Sequence, residues 1–78
     1  MKIEYDPQVD ALYVQLRDVP IHDSIDVEPG VTVDRDDQGH IVGIEILDAR
    51  ERVGADPLAA VSIERLSPEK KPSEAEVA

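Results

Sequence analysis

Gly39-His-Ile-Val-Gly-Ile-Glu-Ile-Leu-Asp48 holds the densest β-branched run in the chain, with Ile41, Val42, Ile44 and Ile46 closed by Leu47. Branched side chains are stiff at χ1 and fit a pleated, packed surface, so this run predicts a strand. Alternation places Val42, Ile44 and Ile46 on one face and Ile41, Gly43, Glu45 and Leu47 on the other. The first set is wholly apolar and the second nearly so, which predicts a central strand rather than an edge. Gly43 interrupts the run, and a glycine inside a strand marks a bulge or the close approach of another group. Glu45 is the charge within it. It is expected to face Arg17 or another cation, or to sit near a sheet opening, because an unpaired buried carboxylate is too costly.

The flanking sequence supplies four more strands. Met1-Lys-Ile-Glu-Tyr5 alternates apolar and charged residues, the period of a half-buried strand. Asp6-Pro7 ends it, since proline fixes its own φ and biases Asp6 away from helix. Ala11–Leu16 reads as the second strand of an antiparallel hairpin. Ser24–Glu28 alternates with Ile25 and Val27 inward, and Pro29-Gly30 is a turn that suits type II geometry. Val31-Thr-Val33 is the fourth strand, followed by a turn at Asp36-Asp-Gln-Gly39. Asp48 is expected to cap a short helix ending at Gly54 with its side chain.

Residues 55–66 form a C-terminal extension in which Leu58, Val61 and Leu66 suit a short helix and Ala60–Ile63 suits a sixth strand; both remain open. Residues 67–78 are too polar to order themselves and are expected to form a disordered tail. The fold class is therefore α+β: a small antiparallel sheet of about five strands in a meander, with a short C-terminal helix. Residues 1–54 constitute the β-rich domain.

Composition narrows the function classes. The 78 residues contain no Cys, Phe or Trp and two Tyr. The core must be aliphatic, without disulfide or thiolate-metal support, and self-association is the usual remaining support for so small a domain. Eighteen acidic against eight basic residues give a formal charge of -10. The few Lys and Arg are scattered among acids, which argues against direct nucleic-acid binding. The acidity suits a basic protein partner or a cation, or simply maintains solubility. Met1-Lys-Ile-Glu4 lacks the apolar run of a signal peptide, and no stretch reaches membrane-spanning length, so the expectation is a cytoplasmic protein with no membrane association.

Tyr5-Asp6, Asp10-Ala-Leu-Tyr-Val14, Gly30-Val31, Asp34, Gly39 and Ile41-Val-Gly-Ile-Glu-Ile-Leu-Asp-Ala49, in this order, resemble the domain of unknown function 2283 family over residues 1–53. The resemblance implies a compact prokaryotic β-rich domain with a terminal helix. It carries over no catalytic residues, and it implies a small toxin-like protein as a partner class.

Three constellations are candidates for chemistry. Asp34-Arg-Asp36-Asp-Gln-Gly39-His-Ile41 through Glu45 matches a twelve-residue calcium loop at the first, third, sixth and twelfth positions. Its flanks alternate like strands, which favours an ordinary acidic hairpin turn. Asp34, Asp36 and Glu45 are the metal candidates. His22 and His40, with Asp23 and Asp37 nearby, suit a transition-metal pair or surface histidines. Tyr5, Asp6, Asp10 and Tyr13 surround the first turn, either as a polar pocket or as an Asp-capped turn with tyrosines packing across strands.

Two function classes result. The favoured one is a non-enzymatic interaction module, self-associating as a homodimer through Ile41 and Leu47 and binding a small basic or toxin-like protein. The other is a small metal-binding protein or hydrolase using Asp34, Asp36, Glu45 and a histidine. No cofactor is expected.

Overall fold

Alternation of apolar and polar residues produces five strands: β1 (Lys2–Asp6), β2 (Ala11–Gln15), β3 (Asp23–Glu28), β4 (Val31–Arg35) and β5 (Ile41–Ile46). Among the described residues one helix follows, α1 (Ala49–Val53). The computed structural model describes residues 1–54, 56–59 and 61–66. The expected tail, 67–78, lies outside the described residues. Within the extension, residues 57–59 form a turn and 61–66 carry no regular structure, so neither the helix nor the strand considered there is present among the described residues.

The strands form a single antiparallel sheet in the order β1-β2-β5-β4-β3. Three neighbouring pairs join consecutive strands, as a meander requires. The connection at residues 16–22 instead crosses one end of the sheet to the far edge, so β5 comes to lie beside β2. The apolar run of β5 therefore occupies the middle position expected of it.

Register sorts the residues by face, because directly paired residues point the same way. Ile3, Val14, Ile44, Val33 and Ile25 form an aliphatic row across all five strands. One residue along in each strand, Glu4, Tyr13, Glu45, Thr32 and Asp26 form a row on the opposite face. Next to it run Lys2, Gln15, Gly43, Asp34 and Ser24. One face of the sheet is apolar and the other polar. The face of Gly43 and Glu45, which reads as nearly apolar within β5 alone, is made polar by its neighbours in β2 and β4.

The β4–β5 ladder slips where Asp34 pairs with Gly43 and Arg35 with Ile41, leaving Val42 as the extra residue of a bulge. The Val42 carbonyl turns toward β2 and accepts from the Leu16 amide at 2.7 Å and the Arg17 amide at 3.3 Å. Its side chain is 1% exposed. The bulge expected near Gly43 is thus the anchor of the crossing loop.

The helix spans five residues, about 7.5 Å at ~1.5 Å per residue, too short to span a five-strand sheet. Its N-terminus differs from expectation. Asp48 precedes it in a left-handed conformation, φ 53°, and makes no side-chain capping bond. The cap comes instead from the β1–β2 turn: Ala49 donates to the Asp10 carbonyl at 3.1 Å, and the Arg50 amide to the Asp10 carboxylate at 3.1 Å. Gly54 closes the C-terminus at φ 78°, as expected. Arg52 ties the helix to the β3–β4 turn through the Pro29 carbonyl and Glu28.

Candidate functional site

Asp36 opens the β4–β5 turn and organises it. Its Oδ1 accepts from the Gln38 and His40 amides, each at 2.9 Å, while Oδ2 accepts from the Arg17 guanidinium. These bonds, the Arg17 one foremost, lower its carboxyl to about 2. Arg17 therefore pairs with Asp36, not with Glu45, and Glu45 is exposed on the polar face, where it requires no buried cation.

Asp34 is engaged separately. Its Oδ2 accepts from the Tyr13 hydroxyl at 2.8 Å and its Oδ1 from the Ser24 hydroxyl at 2.6 Å. The Tyr13 side chain reaches from β2 across β5 directly over Gly43, where a Cβ would overlap the hydroxyl. That is the close approach the glycine signals. Burial first, then the hydrogen bond to Asp34, push the Tyr13 phenol up to about 12, with the charges of Asp34, Glu45 and Glu4 adding.

The three metal candidates thus occupy two places. Asp34 and Glu45 flank Tyr13 on the polar face, and Asp36 is bound into the turn by Arg17 and two amides. Among the described residues, no group of three or more His, Cys, Asp or Glu side chains is arranged to hold a metal ion. The Asp36–Gly39 segment is a hairpin turn, with Gly39 donating to the Asp36 carbonyl at 3.1 Å and taking φ 83°.

The four residues at the first turn also divide. Tyr5 donates to Asp10 at 2.7 Å beside the helix N-terminus, and its phenol is raised by burial and that bond. Asp6 accepts from the Gln8 amide of its own turn at 2.9 Å. Tyr13 lies on the opposite face, because β1 pairs Tyr5 with Leu12 and Glu4 with Tyr13. Asp10 is a capping group whose partner stands forty residues away.

At the end of the sheet opposite the helix, Arg17, Pro20, His22, Asp36 and Gln38 border a shallow groove of about 410 Å³. His22 donates its amide to the Arg35 carbonyl at 2.7 Å, and His40 is exposed in the turn. Ile41, expected on the face of Gly43, Glu45 and Leu47, instead pairs with Arg35 beyond the bulge and so shares the face of Val33. Ile41 and Leu47, the residue after β5, are 43% and 42% exposed.

The apolar face of the sheet carries no second layer among the described residues. Among the described residues Val42 and Ala49 are the buried apolar ones, while the row through Ile44 remains half-buried and its ends, Ile3 and Ile25, are 38% and 39% exposed. No helix among the described residues is long and apolar enough to cross a membrane.

The family described as protein of unknown function (DUF2283) matches residues 2–50. The chain belongs to this family. Searches of curated proteins and of solved structures return no match.

Proposed function

We propose that this DUF2283 member is a non-enzymatic, self-associating interaction module of the prokaryotic cytoplasm that binds a small basic protein, a toxin-like one being the partner class. The observation that carries the reading is the single-layered architecture. Stable domains bury the apolar face of a sheet against a second layer. Among the described residues the chain contributes one layer, with Val42 and Ala49 the buried apolar residues. An apolar surface left over by the fold marks a place for association.

The charge supports the second half of the reading. Glu4, Glu45, Asp26 and Asp34 share the polar face, within a chain of formal charge -10. Such a surface favours encounter with a basic partner and repels acidic ones. The metal-dependent alternative gains no support from geometry in which Asp34 and Asp36 are already engaged by Tyr13, Ser24, Arg17 and two amides.

Light scattering on the full chain across a dilution series tests the reading. Twice the chain mass at micromolar concentration is expected; a folded monomer throughout would overturn it.

A further inference from the structure

We infer that the self-association surface is the apolar face of the sheet, with the occupant a second copy of this chain packed face to face by two-fold symmetry. The inference rests on the self-association reading above and specifies its surface. It moves the contact from Ile41 and Leu47 to the row Ile3, Val14, Ile44, Val33 and Ile25.

Three observations select this face and this occupant. The first is completeness. Facing sheets pack about 10 Å apart with interdigitated aliphatic side chains, and a row of alternating Ile and Val across all five strands provides one half of such a core. The second is charge. Two copies of a chain of formal charge -10 can meet closely only where acids are absent or neutralised. The polar face carries Glu4, Glu45, Asp26 and Asp34, so self-contact there sets carboxylate against carboxylate. On the apolar side Asp23 and Glu28 at the margin are paired, with Arg35 at 2.7 Å and Arg52 at 3.1 Å, and Asp10 is held by the Tyr5 hydroxyl and the Arg50 amide.

The edges are excluded for the same reason. Asp23, Asp26 and Glu28 line β3, whose ladder is also bulged between Asp26 and Glu28, and Glu4 and Asp6 lie on β1. Charges and bulges on edge strands oppose edge-to-edge pairing.

The third observation is size. Five strands about 4.8 Å apart and five to six residues long give a footprint of roughly 24 Å by 18 Å. Two such faces cover on the order of 900 Å² before side-chain relief is counted, near the ~1,000 Å² expected of a specific interface.

Sedimentation equilibrium on single variants of the full chain, with circular dichroism to verify the fold, tests the inference. Ile3→Asp and Ile25→Asp place a carboxylate at partly exposed ends of the row, where the single sheet tolerates it but a facing copy does not. Each is expected to remain folded and to weaken self-association about a hundredfold or more. Thr32→Arg, on the polar face, is expected to leave the dimer intact. A dimer unaffected by both Asp variants, or abolished by Thr32→Arg with the fold retained, would overturn the choice of face while leaving self-association standing. A monomeric wild-type chain would overturn both.

Discussion

A methyl group at position 43 would occupy the space of the Tyr13 hydroxyl, so Gly43 is required by a neighbour in space and not by its own strand. Gly43→Ala is expected to displace the tyrosine, break its bond to Asp34, and destabilise the fold by about 1–3 kcal/mol. In a Tyr5→Phe background the same change should bring Tyr13 ionisation down from about 12 toward the ordinary value, read from tyrosinate absorbance; an unmoved titration would contradict the packing. Asp36 gives a second residue-scale expectation. Its folded value of about 2 lies below the ~3.9 of an unfolded aspartate. Its contribution is therefore present above pH ~4 and is lost as pH falls toward 2. Asp36→Asn should flatten the acid-induced loss of stability in that window, measured by denaturant melts at stepped pH. An equally steep loss in the variant would assign the acid sensitivity elsewhere.

For the helix, the chain offers Asp48 at the capping position, yet the bond is made by Asp10, from a turn that alternation places but whose distant contacts it does not disclose. Asp10→Ala is expected to cost about 1–2 kcal/mol in chemical denaturation, since it removes both the cap and the acceptor of Tyr5. Asp48→Gly should cost less, because the left-handed backbone there favours glycine and the side chain caps nothing; the reverse order would contradict the assignment. Much of the architecture is legible from local pattern. The β-branched run of Ile41–Ile46 identifies a central strand, and Pro29-Gly30 and Asp36–Gly39 identify turns. Which strands lie beside β5 is not legible, because alternation records a buried face but not the neighbour that shares it. That gap explains why the Glu45 face reads as nearly apolar in isolation. It also explains why Tyr5 and Tyr13 read as one cluster: the hairpin register decides their faces, and places them on opposite sides.

Across the whole molecule, the carboxylates matching a calcium loop are distributed between a hairpin turn and the polar face of the sheet. Thermal unfolding in millimolar Ca²⁺ and in EDTA should give the same midpoint, and a saturable rise with Ca²⁺ would signal a site that this arrangement does not supply. The apolar row through Ile44 has the opposite consequence. Among the described residues Val42 and Ala49 are the buried apolar ones. The proposed face-to-face contact would give the half-buried row its second layer, so stability and self-association should be linked. The direct measurement is the thermal midpoint of the full chain as a function of its own concentration. The midpoint is predicted to rise steadily as the concentration is raised roughly a hundredfold through the micromolar range; a constant midpoint, with a cooperative transition at every concentration, would contradict the account.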